Sequence, residues 1–474
     1  MYKIILIIFI FSCMSSFSQW EQDIQLTNYS LQSYTQSTVS YGSFVHVVWA
    51  KSEGNFLEIF YKKTSDYGLT WSSDLRLAYI SGTSETPKIA VSGNIVHVVW
   101  IDHRNGKKQI YYKRSVDSGD SWSESIRLID TVFDTEDPQL KCTGSNVHLV
   151  WTDVRDGNAE IYYKKSSNDG LNWSNDERLT NNSFNSIEPS LDINLSEIHV
   201  VWKDYRDGNG EIYYKSSQNS GLNWSSDKRL TFNSALSGLP AISVSGVNIH
   251  IVWLDARETY YKIFYKRSTD DGLSWGSDIL LSGNINQNAY SPDIIVSGNI
   301  CHVVWSDTRD NNYDIYYKNS TDIGSNWSMD YRLTTDIDDS YSPNVIFSGS
   351  KLFIFWFDNR TGHFEIFYKR NPIGNPIGIN LINSNIPTDF IIEQNYPNPF
   401  NPVTKIKFQI PKSGFVNLDV YDILGRNIDV LVNENLNAGV YEVEWNAANQ
   451  PSGIYFYKIK TSELSEVKKM ILIK

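Results

Sequence analysis

The stretch 96–122, VHVVWIDHRNGKKQIYYKRSVDSGDSW, decides the fold because the chain repeats it with small changes. Its last residue belongs to a tryptophan series spaced by 51 residues, with one spacing of 52: Trp20, Trp71, Trp122, Trp173, Trp224, Trp275 and Trp327. A second series keeps the same register: Trp49, Trp100, Trp151, Trp202, Trp253, Trp305 and Trp356. A period of this length indicates one structural unit per repeat, which must bury a face against its neighbours.

Each repeat contains four short runs rich in Val, Ile, Tyr and Trp, separated by Gly, Asn, Asp and Pro clusters, which predicts four strands joined by turns. Four strands in a unit of about fifty residues predicts an all-β fold, a β-propeller. The seventh repeat lacks its own fourth strand, and Trp20–Thr27 supplies that piece. We therefore predict seven blades closed by the N-terminal strand, which hides exposed strand edges, with six blades as the alternative.

The turn after the third strand carries the sequence S/T-x-D-x-G-x-x-W. Six turns fit it with Asp or Asn at the third position: Asp66, Asp117, Asn168, Asn219, Asp270 and Asp322. Asp or Asn there bonds backbone amides, the Gly supplies positive φ and the Trp packs under the hairpin. The motif resembles the Asp-box, or BNR repeat, of sialidases and related propellers. The resemblance implies a structural role for these six residues, away from the ligand face.

The N-terminus differs from the repeats. Residues 1–18 are interpreted as a secretory signal peptide, because a lysine precedes the apolar run Ile4–Phe11 and small residues follow. That run is shorter than the roughly 18 apolar residues of a membrane anchor, so no transmembrane segment is expected after cleavage. Cys13 leaves a lipoprotein as an alternative. Cys142 and Cys301 fall in different repeats, so we expect two buried free thiols rather than a disulfide.

A second domain follows the propeller, which we place at 19–370. Residues 371–388 are interpreted as a linker, and 389–474 as a small immunoglobulin-like β-sandwich with short alternating strands. This stretch contains NYPNPFNP at 395–402 and closely resembles the type A sorting domain of type IX secretion substrates. The resemblance implies the type IX export machinery as partner and a protein that is secreted or attached to the outer-membrane surface. A carbohydrate-binding or adhesive sandwich is the alternative.

Charge and repetition exclude several functions. The formal net charge of −12 argues against a nucleic-acid partner. Histidines recur at one place in the second strand: His46, His97, His148, His199, His250 and His302. A ring places each in its own blade, too far apart to share an ion, so we predict no metal and no cofactor. The repeated D-x-R pairs, such as Asp102/Arg104, are interpreted as hairpin ion pairs.

The candidate site lies where the repeat is broken. The position lies two residues before the proline that opens each inner strand, or before Gln36, which replaces that proline in the first unit. Five successive blades carry tyrosine or glutamate there: Tyr290, Tyr341, Tyr34, Glu85 and Glu136. They should line one side of the channel mouth, where tyrosine faces stack on sugars and carboxylates bind hydroxyls or act as acid and base. We predict these five as ligand-binding residues, with Glu85, Glu136 and Tyr341 as the catalytic candidates of an enzyme. The alternative is that they are solvated loop residues.

Three classes of function fit the sequence: a glycan- or protein-binding module, a glycoside-active enzyme, and a structural or adhesive surface protein. The sialidase resemblance implies an arginine triad, a Tyr/Glu nucleophile pair and an Asp acid/base. The Arg-Ile-Pro tripeptide that carries one of these arginines does not occur here, and the arginines of the ligand face are the repeated hairpin ones. We therefore favour a binding module, with a sialidase-like hydrolase as the alternative.

Overall fold

The computed structural model describes residues 20–29, 31–78, 82–283, 286–349, 351–371, 380–383, 387–412, 414–436, 439–447, 450–461 and 465–474. The predicted signal peptide, residues 1–18 with Cys13, lies outside the described residues. All elements in the described ranges are strands. Within those ranges, the structure contains no helix of the length and apolar character needed to cross a membrane.

Seven four-stranded antiparallel sheets, numbered here 1 to 7 in chain order, occupy the described residues of the repeat region. The chain enters with β1 (Ile24–Gln25). Sheet 1 contains β2 (Ser33–Tyr41), β3 (Phe44–Glu53), β4 (Phe56–Thr64) and β5 (Leu75–Arg76). Sheet 2 contains β6 (Ser84–Ser92), β7 (Ile95–Asp102), β8 (Gln109–Ser115) and β9 (Ile126–Arg127). Sheet 3 contains β10 (Thr135–Thr143), β11 (Asn146–Asp153), β12 (Glu160–Ser166) and β13 (Glu177–Arg178).

The same order continues through the remaining repeats. Sheet 4 contains β14 (Ser186–Asn194), β15 (Glu197–Asp204), β16 (Glu211–Ser217) and β17 (Lys228–Arg229). Sheet 5 contains β18 (Ser237–Ser245), β19 (Asn248–Asp255), β20 (Lys262–Ser268) and β21 (Ile279–Leu280). Sheet 6 contains β22 (Ala289–Ser297), β23 (Ile300–Asp307), β24 (Asp314–Ser320) and β25 (Tyr331–Arg332). Sheet 7 contains β26 (Ser340–Ser348), β27 (Lys351–Asp358), β28 (Glu365–Asn371) and, as its fourth strand, β1.

The N-terminal strand closes the ring as the sequence predicts. Strand β1 pairs antiparallel with β28, with Ile24 opposite Tyr368. The first strand of each sheet contacts the first strand of the next, and β26 of sheet 7 contacts β2 of sheet 1. Across that junction the Ser348 hydroxyl donates to the Gly42 carbonyl at 2.8 Å. The repeat region is therefore a β-propeller whose first strands surround a central channel.

The second strand of each sheet supplies most of the core. Its burial is almost continuous, as expected for sheets that pack on both faces. Trp151 is fully buried against Val99 and Ile110 of the preceding sheet, and the equivalent tryptophans are buried in the other sheets. Burying a side chain of this size contributes about 4 kcal/mol, as an upper bound. Cys142 and Cys301 are free thiols, but only Cys301 is buried, while Cys142 is partly exposed.

The turns with the S/T-x-D-x-G-x-x-W sequence share one hydrogen-bond pattern. In the turn after β20, Asp270 Oδ1 accepts from the Ser274 N–H at 2.8 Å, and the Gly272 N–H donates to the Ser268 hydroxyl at 2.9 Å. The Ser274 hydroxyl and amide lower the pKa of Asp270 to about 2. In the other five turns the Asp or Asn side-chain oxygen accepts the equivalent hydrogen bond from a backbone N–H, at 2.8–2.9 Å. The tryptophan that ends each turn packs on the preceding sheet, as Trp122 does edge-on against Tyr61 with centroids 5.0 Å apart.

The C-terminal region forms two four-stranded sheets. One contains β29 (Asn380–Asn383), β30 (Ile391–Ile392), β31 (Val403–Ile410) and β34 (Gly439–Asn446), in the order β29-β34-β31-β30. The other contains β32 (Gly414–Tyr421), β33 (Asn427–Leu436), β35 (Gly453–Lys460) and β36 (Ser465–Leu472), in the order β33-β32-β35-β36. Their inner faces share one apolar core around Phe408, Leu418, Trp445 and Tyr457. Strand β29 lies in the stretch expected as a linker and pairs with β34.

Candidate functional site

Each first strand of the propeller begins with a bulge at the channel mouth. The register of β10 with β11 shifts between Glu136 and Gln139, and the first strand of every other sheet has a register shift at the equivalent place. One bulge residue in each sheet has positive φ, between 34° and 55°: Thr35, Thr86, Asp137, Glu188, Leu239, Ser291 and Ser342. A side chain other than Gly is strained there by about 1–2 kcal/mol, and such strain is typical of ligand sites. All seven bulge residues line a single cavity.

That cavity, of about 530 Å³, opens on the face opposite the Asp-box turns. Aromatic side chains form one arc of its wall. Tyr34 of sheet 1 and Tyr341 and Phe357 of sheet 7 line it. Tyr341 is held edge-on against Phe364, with centroids 4.8 Å apart, and the Tyr34 hydroxyl donates to Gln32 Oε1 at 2.7 Å. Tyr34 is 38% exposed, so its ring is free to contact a ligand.

Two carboxylates form the opposite arc. Asp137 accepts from the Thr152 hydroxyl at 3.4 Å, and Glu188 accepts from Lys203 Nζ at 2.7 Å and from the Leu239 N–H at 2.8 Å. Burial raises the pKa of Asp137, and the negative charges of its neighbours, Glu188 among them, raise it further. Asp137 therefore retains its proton to higher pH than an ordinary aspartic acid, while Glu188 has a lysine as counter-ion.

Four polar side chains lie between this cavity and a second one of about 530 Å³ deeper in the channel. Lys88, Gln139, Asp293 and Asn344 line both cavities. Asp293 accepts from Asn344 Nδ2 at 2.7 Å, and burial raises its pKa. Burial lowers the pKa of Lys88. The floor of the upper cavity therefore offers amide, carboxyl and ammonium groups toward a ligand.

The five residues predicted from the sequence divide into two groups. Tyr34 and Tyr341 line the cavity. Glu85, Glu136 and Tyr290 each directly precede a lining residue but are not part of the lining. Lys108 lies 2.8 Å from Glu136 and 3.8 Å from Glu85, so it holds these two carboxylates together.

The other contacts of this second group are also within the protein. Glu85 is 3.0 Å from His103 Nε2. Tyr290 packs between Tyr261 and Tyr313, with centroid distances of 5.6 and 5.9 Å. The bulge explains why the prediction was displaced by one residue, because an extra residue in a strand re-aims the side chains beside it. In six of the seven sheets the lining bulge residue directly precedes a proline, and that position is the sequence signal that marks the lining.

The arginines of the ligand face form ion pairs with aspartates of the same sheets. Arg206 donates to both carboxylate oxygens of Asp204 at 2.8 and 2.7 Å and lies 2.8 Å from Asp227. Its guanidinium stacks over Tyr213, 4.4 Å from the ring centroid. The other D-x-R pairs have the same ion pair. Among the described residues, no arginine lines the cavity.

Sheet 1 lacks the D-x-R pair and has an oppositely charged pair in its place. Lys51 stands where the other sheets have Asp, and Glu53 stands where they have Arg. The two form an ion pair at 2.5 Å, so the contact is kept with its charges reversed. This exchange indicates that the pair stabilises the hairpin, because a ligand contact would require one sign of charge.

Residues 394–474 match the family described as the secretion system C-terminal sorting domain. A search of curated protein sequences finds no match to the chain.

Solved structures of low sequence identity resemble the fold. The polysaccharide lyase Uly1 is 9% identical, and the match covers 72% of this chain and 90% of the lyase with a TM-score of 0.50. The phage phi92 endosialidase is 12% identical, with 86% of this chain and 74% of that chain covered and a TM-score of 0.46. A Trypanosoma rangeli sialidase is 10% identical, with 81% and 83% covered and a TM-score of 0.42. At these identities the likeness concerns the fold alone.

The two results together define the class of the protein. The N-terminal region is an all-β propeller, as its ring of four-stranded antiparallel sheets shows. The C-terminal region is a type IX secretion sorting domain, which directs the chain to the cell surface or the extracellular space.

Proposed function

We propose that the propeller is an exported binding module that holds a neutral glycan at the channel mouth. The observation that carries the proposal is the composition of the cavity wall. The rings of Tyr34 and Tyr341 form one arc, and the remainder presents carboxyl, hydroxyl and amide groups between prolines and Leu239. A sugar ring presents an apolar face for stacking and hydroxyl groups for hydrogen bonding, so it complements both arcs.

The charge of the lining favours a neutral ligand over an acidic one. Three carboxyl groups, Asp137, Glu188 and Asp293, line the cavity, against the ammonium group of Lys88. Recognition of a sugar carboxylate is best served by bidentate arginines. The arginines of this face are instead bound to aspartates of the same sheets. This arrangement supports a neutral, hydroxyl-rich ligand and argues against a sialic acid.

One observation favours a second candidate, a glycoside hydrolase. Such enzymes use two carboxyl groups, one protonated as general acid and one ionised. Asp137, with its raised pKa, suits the acid, and Glu188, paired with Lys203, suits the carboxylate. The sequence-based candidates Glu85 and Glu136 contact Lys108 and do not line the cavity, so they are less well placed to act on a ligand.

A glycan array probed with the purified chain tests binding, and Tyr34→Ala is the diagnostic variant. Loss of one stacking tyrosine should weaken binding of a captured glycan by about three- to tenfold without changing the thermal unfolding temperature. Tyr290→Ala is the matched control, because it removes a tyrosine of the same face that does not line the cavity. Equal losses in both variants, or no saturable glycan, would contradict the assignment.

Hydrolysis of the captured glycan distinguishes the two candidates. Product release that is abolished in Asp137→Asn and retained in Glu136→Gln would establish the enzyme with the bulge carboxyl as acid. Retention of the intact glycan by the wild-type chain would establish the binding module.

A further inference from the structure

A histidine and two carboxylates meet on the Asp-box face, between sheets 4 and 5. Glu197 and His199 lie two residues apart on β15, so their side chains leave the strand on the same side. Asp271 lies in the turn that follows β20 of the next sheet. One ligand-type atom from each of the three residues lies within 4.8 Å of the other two.

The imidazole of His199 has an unused nitrogen. The side chain is fully buried, and its Nδ1 lies 2.9 Å from the Tyr214 hydroxyl. Its Nε2 has no hydrogen-bond partner among the described residues, and neither has Asp271 Oδ1, which lies 3.7 Å from it. When two buried polar atoms face each other without a hydrogen bond, each destabilises the folded state by about 1–3 kcal/mol. A third species between them that bonds to both would remove this penalty.

Both carboxylates are held in place by amide side chains. Gln218 Nε2 donates to Asp271 Oδ2 at 2.6 Å, and Asn194 Nδ2 donates to Glu197 Oε2 at 3.0 Å. The turn itself is fixed, because the Asp271 N–H donates to the Val247 carbonyl at 3.0 Å. Outer hydrogen bonds of this kind orient the ligands of a metal ion.

We propose that Glu197, His199 and Asp271 bind one divalent transition-metal ion, of which Zn²⁺ is the best match. Zinc takes imidazole nitrogen and carboxylate oxygen at about 2 Å in a tetrahedron, which places neighbouring ligand atoms about 3.4 Å apart. The separation of 3.7 Å between His199 Nε2 and Asp271 Oδ1 is close to that value. Glu197 closes the remaining distance by rotating its partly exposed side chain, and water completes the four ligands.

The proton position required by the site follows from the contact with Tyr214. If Nδ1 carries the hydrogen and donates to the tyrosine hydroxyl, Nε2 presents its lone pair toward the carboxylates. In sheet 1 the equivalent tyrosine, Tyr61, lies 2.7 Å from His46 Nδ1 and donates its own hydrogen to the Ser118 carbonyl at 3.5 Å, so its oxygen is free to accept from the imidazole. A neutral histidine is the form that coordinates a metal.

The repeat shows that this cluster is a local feature of sheets 4 and 5. The Nε2 atoms of other second-strand histidines also lack partners, so that property alone does not mark a site: His97, His250 and His302. In sheet 2, Asp169 of the following turn lies near His97, but Ile95 stands where Glu197 stands in sheet 4. Within the described part of the chain, one such three-ligand group is found. The spacing of the histidines predicts no shared metal because they lie in separate sheets, but this group requires only one of them.

A bound ion would connect the second strand of sheet 4 to the turn of sheet 5. The site lies on the face opposite the channel mouth, so it is independent of the proposed glycan site. Its effect is to join two neighbouring sheets of the ring by a metal bridge, which stabilises the folded chain by mass action. No catalytic step is assigned to it.

The test is titration of the purified chain, prepared without a polyhistidine tag and stripped with EDTA, with ZnCl₂ and CoCl₂. Calorimetry should show one equivalent of Zn²⁺ per chain, and Co²⁺ should give visible absorption bands of a nitrogen- and oxygen-coordinated ion. Glu197→Gln and Asp271→Asn should each weaken Zn²⁺ binding at least tenfold. These residues are partly exposed, so both variants should fold.

Asp169→Asn is the matched control. It removes the equivalent carboxylate beside His97, where the third ligand is absent, and should leave the Zn²⁺ stoichiometry and affinity unchanged. Absence of saturable Zn²⁺ or Co²⁺ binding by the wild-type chain would overturn the proposal. Undiminished binding by the Glu197→Gln/Asp271→Asn double variant would overturn it as well.

Discussion

Mild acid should destabilise this propeller strongly, because its second strands bury six neutral histidines. Each is at most 1% exposed, and each Nδ1 lies 2.7–2.9 Å from a tyrosine hydroxyl. Burial lowers the pKa to about 3 for His46, His250 and His302, and to about 4 for His97, His148 and His199. The ordinary pKa of histidine in an unfolded chain is about 6.5.

The direction and size of the effect follow from proton linkage. As the pH falls below about 6.5, the unfolded chain binds protons at these histidines, whereas the folded chain does not until about pH 4. At pH 5.5 each histidine therefore destabilises the fold by about 1.4 kcal/mol relative to pH 7.5. The six together amount to about 8 kcal/mol, which is comparable with the whole stability of a typical domain. Burial raises the pKa values of Asp137 and Asp293, so their contribution to stability as the pH falls has the opposite sign.

The assay is urea unfolding followed by tryptophan fluorescence at several pH values between 7.5 and 5.5, in a buffer with EDTA. The unfolding midpoint should fall steeply across this range. His148→Gln is the diagnostic variant, because a glutamine amide can still bond the Tyr163 hydroxyl but does not titrate. It should remove about one sixth of the pH dependence. A midpoint that does not change over this range, or an unchanged slope in the variant, would refute the reasoning.

Three further outcomes are expected. Gly119→Ala places a Cβ 1.9 Å from the Tyr61 hydroxyl at a φ of +86°, and should cost about 2–4 kcal/mol by urea unfolding. Gly106→Ala, at a φ of +74° with open space around it, should cost only about 1 kcal/mol; equal costs would contradict the packing argument. Asp23→Asn weakens two ion pairs of 2.9 Å that tie the N-terminal segment to sheet 7, so limited proteolysis should cleave that segment faster than in the wild type. Deletion of 394–474 should leave the propeller in the periplasm of a type IX-competent host, as measured by cell fractionation; surface delivery of the truncated chain would contradict the role of the sorting domain.

The candidate site was only partly predictable from the sequence. Tyr34 and Tyr341 break the repeat and do line the cavity. The sequence does not predict Asp137 and Glu188 as lining residues, because a regular strand would turn them away from the channel. Only the bulge directs their side chains into it. Glu136 was selected as a ligand residue, but Lys108 arrives from the hairpin between β7 and β8 and pairs with it. Such pairings depend on which loops meet in space, and a single repeat does not contain that information.

The sequence by itself determined the strands, their grouping into sheets and the closure of the ring. Those features follow from local patterns, since the period of the tryptophans and the turn residues repeats in every unit. Only the tertiary structure decided which side chains share a cavity and which carboxylates are paired with a counter-ion. His199 and Glu197 are neighbours on one strand, but Asp271 joins them only because the turn of sheet 5 packs over the edge of sheet 4. Contacts between repeats depend on how neighbouring sheets are oriented, and that orientation is set by the packing of the whole ring.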